Sequence, residues 1–215
     1  MLSIKNKNRF MSTIVILTMV FNLLNISPVL AAGPYTVNSI NDATDANLGD
    51  GLCETATVGE CTLRAAVQEA NAFAGADIIN LPSGSYALSI AGAGEDAAAM
   101  GDLDINSAIT IIGAGAASTV VNAASLDRVF DVIGANVTFQ DLTITGGSAT
   151  YGAGIYSHLS SVIVLTRVTV SSNSASLGGG GIRLETGSSA TITDSTIQSN
   201  TSGQSGAGLD SVSST

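Results

Sequence analysis

The sequence predicts an all-β protein, a right-handed parallel β-helix with a short capping helix at its N-terminal end. Three observations lead to this fold. A block of residues recurs at offsets of 26 and 27 positions, apolar and polar residues alternate within each block, and the blocks have no room for a helix between their strands. Equivalent strands of successive turns would therefore stack in parallel, about 4.8 Å apart.

The first 31 residues have the order of a secretory signal peptide. Basic residues at positions 5, 7 and 9 precede an apolar run over residues 11–24, and small residues follow at Ala31 and Ala32. A membrane anchor is the alternative, but Asn22 and Asn25 interrupt the run and no basic flank follows it. We therefore predict a signal peptide over residues 1–31, a secreted or cell-surface protein, and no transmembrane span in the mature chain.

Removal of that segment leaves a strongly acidic chain. The remaining residues include four arginines, no lysine and seventeen acidic residues, which gives a net charge of −13 with histidine neutral. Such a chain repels phosphate backbones, so we expect no nucleic-acid partner.

Residues 35–77 are predicted to form an N-terminal cap. The two cysteines, Cys53 and Cys61, are expected to form a disulfide in an exported protein, with two free thiols or half of a metal site as the alternatives. A helix is predicted over residues 62–74, with Thr62 as its N-cap and Gly75 as its stop. Its apolar face would cover the open end of the β-helix.

The β-helix itself is predicted over residues 78–215, where apolar residues recur in equivalent positions. The alignment gives three inward columns: Phe139, Leu165 and Ile192; Ile144, Val170 and Ile197; and Ile155, Ile182 and Leu209. A fourth column, Gly147, Asn173 and Asn200, is expected to form left-handed corners, because glycine and asparagine accept positive φ most readily. The array stops among polar residues near Thr215, so we expect a fragment of a longer protein.

Two stretches of the N-terminal half resemble a known family. GDGLCETATVGECTLRAAVQEANA (residues 49–72) and GADIINLPSGSYALSIAGAGEDAAAMGDLDI (residues 75–105) are similar to the N-terminal region of CSLREA-domain proteins, exported bacterial proteins named for a Cys-Ser/Thr-Leu-Arg-Glu-Ala motif. The resemblance covers about residues 35–210. It implies a right-handed β-helix of the pectin-lyase-like superfamily, with repeats similar to those of polymorphic outer-membrane proteins and large adhesins, and no defined activity.

One position departs from the family motif. Ala65 stands where the family has Glu, three residues after the Thr62 cap. The capping box is therefore incomplete, which we expect to cost the helix about 0.5–1 kcal/mol.

Acidic residues supply the candidates for chemistry. The densest group comprises Glu95, Asp96, Asp102 and Asp104. A calcium site is one interpretation of this group, and solvated acidic loops are the other. In the repeats, Asp141 and Asp194 share a column with Arg167 between them, which we interpret as an exterior ladder of alternating charge rather than a catalytic carboxylate pair. His158 has no acid at an informative spacing and is expected on the surface.

These features favour a non-enzymatic protein. We expect an exported bacterial β-helix with a structural or adhesive function, whose partner would be a cell-surface glycan or the surface of a host or neighbouring cell. No catalytic residue and no cofactor is assigned, apart from the calcium interpretation. An outward column of Thr143, Thr169 and Thr196 offers a lattice to a sugar chain, although threonine also favours strands in its own right. A polysaccharide lyase or hydrolase of the pectin-lyase-like fold is the alternative function.

Overall fold

The computed structural model describes residues 33–73 and 75–212, which form a parallel β-solenoid of about four turns with one short helix. The fold class predicted from the repeat is confirmed. Each turn is built from strands because apolar residues recur with a period of two, which places them on one face of a strand but on no single face of a helix. The predicted signal segment, residues 1–31, lies outside the described residues.

The described residues contain one helix and nineteen strands. Helix α1 spans Leu63–Ala72. The strands are β1 (Tyr35–Thr36), β2 (Ala76–Leu81), β3 (Gly84–Ala87), β4 (Leu103–Ile105), β5 (Ala108–Gly113), β6 (Thr119–Asn122), β7 (Phe130–Ile133), β8 (Asn136–Gln140), β9 (Thr143–Thr145), β10 (Ser148–Tyr151), β11 (Ile155–His158), β12 (Val162–Thr166), β13 (Thr169–Ser171), β14 (Ser174–Gly178), β15 (Ile182–Leu184), β16 (Ser189–Thr193), β17 (Thr196–Gln198), β18 (Thr201–Ser202) and β19 (Leu209–Ser211).

Strands of successive turns pair in parallel and form four sheets among the described residues. Sheet A has the order β1-β2-β5-β8-β12-β16, sheet B β3-β6-β9-β13-β17, sheet C β4-β7-β11-β15-β19, and sheet D β10-β14-β18. Because side chains alternate across each strand, one set from every sheet points into the enclosed core and the other set points outward.

The predicted inward columns are register partners in these sheets. The partners are Phe139, Leu165 and Ile192 in sheet A, Ile144, Val170 and Ile197 in sheet B, and Ile155, Ile182 and Leu209 in sheet C. The members from the earlier turns are fully buried. Ile192 and Leu209 remain 38% and 39% exposed, because the described turn that holds them has a neighbouring turn on one side only. The core is therefore a continuous stack that is open at the last described turn.

The left-handed corners lie one residue before the predicted column. Gly146, Ser172 and Ser199 have φ angles of 71°, 57° and 53°, whereas Asn173 and Asn200 do not adopt positive φ. The prediction that Gly147, Asn173 and Asn200 adopt the left-handed conformation is therefore wrong, although these residues do lie at the corner. A second set of left-handed residues occurs at Asp141, Arg167 and Asp194, the column that the sequence marked only by its charge.

The asparagines form a ladder of side-chain hydrogen bonds inside the corner. The amide of Asn173 donates to Ile144 O (3.2 Å) and to Asn200 Oδ1 (3.0 Å), and its own Oδ1 accepts from the backbone of Gly147 (2.8 Å). Asn200 repeats the pattern one turn later, with its amide donating to Val170 O (2.9 Å). Asparagine is needed here because its side chain satisfies backbone groups of adjacent turns, not because of its φ preference.

Two glycines show why the repeat contains so many of them. A Cβ at Gly147 would overlap the carbonyl of Ala153, so that position requires the close approach of a bare backbone. Gly179, in the run of four glycines, has a φ of 65° and lies in front of the inward residue Ile182. The glycine run is thus a corner of one turn.

Helix α1 covers the N-terminal end of the solenoid and packs against β2 and β4. It is shorter than the predicted helix over residues 62–74, because Phe73 already has an extended backbone. Thr62 is the N-cap, and its hydroxyl oxygen accepts from the amide of Ala65 (3.1 Å). The predicted disulfide joins Cys53 to Cys61 directly before the helix.

Candidate functional site

Arg64, on the first turn of α1, organises the polar contacts of the cap. Its guanidinium has no solvent exposure and makes five hydrogen bonds, two of them to Asp42 at 2.6 and 3.2 Å. The other three go to the carbonyl oxygens of Ala98, Gly101 and Asp102, at 3.0, 2.8 and 3.1 Å. A planar fork of five donors suits such a set of acceptors better than the single ammonium of lysine.

These contacts hold a loop, residues 91–102, which we call the cap loop. The loop is also closed from within, because the carboxylate of Glu95 accepts hydrogen bonds from the amides of Ala97, Ala99 and Met100 at 2.8 to 2.9 Å. Loop and helix together cover β4, all three of whose residues are buried, including the outward residue Asp104. The cap thereby turns what would be a solvent-facing sheet position into an enclosed one.

Three buried carboxylates meet under the cap loop, and we call Asp102, Asp104 and Asp131 the acidic cluster. Asp102 ends the loop, Asp104 lies in β4, and Asp131 lies in β7 as the register partner of Asp104. The three residues are 4%, 0% and 7% exposed. Each offers a carboxylate oxygen, and these oxygens lie within 4.8 Å of one another.

Two basic side chains border the acidic cluster on one side. Arg128 Nε lies 3.0 Å from Asp102 Oδ2, and Arg128 Nη1 donates to Asp131 Oδ2 at 2.5 Å. His158, at the end of β11, places Nε2 3.0 Å from Asp131 Oδ1. Tyr156 supports both, with the Arg128 guanidinium 5.0 Å from its ring centroid and the His158 ring stacked at 4.8 Å.

Burial dominates the electrostatics of the acidic cluster. It raises the pKa of Asp102 to about 8, despite the opposing charge of Arg128 and with the help of the neighbouring Asp104. It raises the pKa of Asp104 to about 7, although the backbone amide of Ala98 donates to that carboxyl at 2.7 Å. Burial also raises the pKa of Asp131, against the influence of Arg128 and His158. The enclosed site therefore favours a proton or a cation on its carboxylates.

Two oxygens of the acidic cluster, Asp104 Oδ1 and Asp131 Oδ1, are buried without a hydrogen-bond partner among the described residues, and of the two only Asp131 Oδ1 has a basic group beside it, His158 Nε2 at 3.0 Å. The other carboxylate oxygen of Asp104, Oδ2, accepts from Ala98. A buried oxygen without a partner is rare in folded proteins and marks a place where a ligand can bind.

Only two of the four residues in the calcium group predicted from the sequence lie in the acidic cluster. Asp102 and Asp104 belong to the acidic cluster, whereas Glu95 binds backbone amides of its own loop and Asp96 is exposed outside the cluster. The sequence did not identify Asp131 as a third carboxylate. It also placed His158 on the surface without an acidic partner, whereas the structure pairs it with Asp131.

The charge ladder of the repeats is reduced to one pair. Arg167 donates to both oxygens of Asp141, at 2.6 and 2.7 Å, and these hydrogen bonds, with a further one from Gln140, lower the pKa of Asp141 to about 2. Asp194 makes no ion pair with Arg167 within the described part of the chain. The pair lies at the surface, and such pairs contribute little to stability.

No family model, no curated protein and no solved structure matches the chain. Over residues 33–73 and 75–212, no helix is both long enough and apolar enough to cross a bilayer.

Proposed function

We propose that the protein is exported and acts as a structural or adhesive β-solenoid outside the cell, where it presents a neutral surface to a glycan or to another cell surface. Its solenoid fold and its disulfide support an extracellular location, because disulfides persist in oxidising compartments. The order of residues 1–31, read as a signal peptide, supports it independently.

The outer face of sheet B is the observation that carries this proposal. The five strands of the sheet contain no charged residue, although the chain has a net charge of −10. Its three later strands stack the outward residues Thr143, Thr169 and Thr196 in register. A regular row of hydroxyl groups without charge suits a neutral polymer, whose own hydroxyl groups can donate and accept in return.

Adhesion is tested on a glycan array with a matched pair of variants. We expect wild-type protein to bind a subset of neutral glycans, and Thr169→Lys to reduce that binding at least tenfold, because it places a charged chain in the middle of the row. Ser176→Lys, at an exposed position of sheet D, should bind like wild type. Wild-type protein that binds no glycan, or two variants that behave alike, would contradict the proposal.

Export is tested by fractionation of cells that express the full chain. We expect the protein outside the cytoplasm, with a new N-terminus after Ala31 or Ala32 and with no free thiol under denaturing conditions. A cytoplasmic protein that keeps its first residues would contradict export without deciding whether sheet B binds glycans.

The resemblance to CSLREA-domain proteins supports the same proposal. In the motif Cys61-Thr62-Leu63-Arg64, the cysteine closes the disulfide, the threonine caps α1, and the arginine ties the cap loop. Each of these residues contributes to the cap and none faces an open cleft, which agrees with a structural motif rather than a catalytic one.

A carbohydrate-active enzyme is the second candidate, because two groups beside the acidic cluster keep some exposure. The side chains of Arg128 and His158 are 20% and 23% exposed, next to Asp131. Polysaccharide cleavage needs an acid and a base that reach the sugar. A reducing-sugar assay on acidic and neutral polysaccharides distinguishes the two candidate functions. Activity that is present in the wild-type protein and lost in His158→Gln would favour the enzyme over the structural protein.

A further inference from the structure

The acidic cluster has the dimensions of a cation site. An ion that binds carboxylate oxygens at about 2.3–2.6 Å can be shared by oxygens up to about 5 Å apart. The oxygens of Asp102, Asp104 and Asp131 lie within 4.8 Å of one another. They come from the cap loop and from two successive strands of sheet C, so their convergence is a product of the fold and not of one loop sequence.

The environment of Asp104 supplies an independent indication of a ligand. This residue has no solvent exposure, and its Oδ1 has no hydrogen-bond donor. Of the ion pairs among the described residues, none includes Asp104, since Arg128 reaches only Asp102 and Asp131. Leaving a buried acceptor unpaired destabilises the folded state, and an ion at this oxygen would offset that loss.

Among the described residues, the positive charge beside the acidic cluster does not balance its three carboxylates. The three carboxylates have one permanently charged group beside them, Arg128, and the histidine on the same side contacts only Asp131. We infer that Asp102, Asp104 and Asp131 bind a divalent cation of the calcium type, which fastens the cap loop to the first turns of the solenoid. Oxygen ligands without sulfur select a hard cation, and the remaining ligands of the ion would be water molecules.

Such an ion would have a structural consequence that can be measured. It would join residue 102 of the cap loop to β4 and β7, so that the cap and two turns unfold as one unit. This inference concerns the cap alone and holds whether or not sheet B is an adhesive surface. A protein that binds calcium at the cluster and no glycan would disprove the proposed function while keeping this site.

Calcium chloride is the probe for the site. We expect isothermal titration calorimetry of chelator-treated full-length protein at pH 7.5 to show one binding event, and terbium to bind with calcium-sensitive luminescence. Calcium in hundredfold excess over its Kd should raise Tm by about 5–10 °C, and a chelator should reverse the shift. Absence of binding by both probes would overturn the inference. Protons shared among the three carboxyl groups would then explain how the acidic cluster can be buried.

Two isosteric variants assign the ligands. Asp104→Asn should weaken calcium binding at least tenfold and remove most of the Tm shift, while Asp96→Asn, exposed in the same loop but outside the cluster, should leave both unchanged. If Asp96→Asn and not Asp104→Asn abolishes binding, the ion lies elsewhere in the cap loop and the assignment is wrong. Should Asp104→Asn fail to fold, the titration of wild-type protein and Asp96→Asn still decides.

Discussion

Arg64 and Asp42 form a buried bidentate ion pair, with Arg64 Nε 2.6 Å from Asp42 Oδ1 and Nη2 3.2 Å from Oδ2. Their side chains are 0% and 2% exposed. Burial alone would raise the pKa of Asp42, but hydrogen bonds from Arg64 and from the amides of Ser89 and Ile90 lower it. The pair thus connects the N-terminal segment, helix α1 and the chain that enters the cap loop.

Replacement of Arg64 should therefore destabilise the cap severely. Arg64→Met keeps a long side chain but removes the guanidinium that donates to Asp42 Oδ1 and to three carbonyl oxygens. Breaking one partner of a buried pair typically costs about 3–5 kcal/mol, and we expect a loss of that size in urea unfolding. Arg167→Met, at the exposed pair with Asp141, is the control and should change the midpoint little. Equal losses in the two variants would show that Arg64 has no special role.

The disulfide should stabilise the cap through the short chain that it closes. Cys53 and Cys61 are separated by 8 positions, and a loop of this size corresponds to about 2–3 kcal/mol when the bond constrains the unfolded chain. The double variant Cys53→Ser/Cys61→Ser should lose that amount, measured by urea unfolding. Addition of a reductant should lower the midpoint of wild-type protein and leave the double variant unchanged. A reductant effect on the double variant would point to another cause.

The acidic cluster should make stability depend on pH in an unusual direction. Asp102 and Asp104, with pKa values of about 8 and about 7, hold protons in the folded state that they release on unfolding. The free energy of unfolding should thus be highest near pH 4 and fall as pH rises to about 8 in the presence of a chelator. The charged groups around them are Arg128, Asp127 and Asp131, together with Glu95, Asp96 and His158. Urea midpoints across this range measure the slope.

Two variants test the origin of that slope. Asp104→Asn removes one of the titrating groups and should flatten the dependence between pH 5 and 8. Asp141→Asn should preserve it, because the pKa of Asp141 is lowered to about 2, so its contribution is lost only when pH falls below 4. A wild-type stability that rises from pH 5 to 8 without added calcium would show that the cluster is not protonated in the folded state.

The inward columns could be predicted because the repeat itself records them. Phe139, Leu165 and Ile192 stay apolar at constant spacing, and parallel pairing of equivalent strands then places them in one stack. The left-handed residue lies one position before the predicted one, because the pattern of Gly147 and Asn173 does not reflect a preference for positive φ. The pattern reflects hydrogen bonds and close contacts between successive turns, which the conformational preference of a single residue does not predict.

The candidate site could be predicted only in part, because it is assembled from distant positions. Asp102 and Asp104 are neighbours in the sequence and were identified together. Asp131 and His158 come from the following turns, where the repeat is irregular and no alignment column connects them to Asp104. Burial by the cap loop, which turns these acids into a cluster with raised pKa values, depends on the contacts of Arg64 and has no signature in the local sequence.

The corner offers a direct test of the corrected assignment, because adjacent residues should respond in opposite ways. Ser172 has a φ of 57° and an exposed side chain, so Ser172→Gly relieves strain and should leave stability unchanged or raise it by up to about 1 kcal/mol. Asn173 is 1% exposed, and Asn173→Gly leaves the amide of Gly147 and the carbonyl of Ile144 unpaired. That variant should lose about 2–4 kcal/mol in urea unfolding. If glycine were tolerated at Asn173 and harmful at Ser172, asparagine would be present for its backbone conformation, and the hydrogen-bond ladder would be incidental.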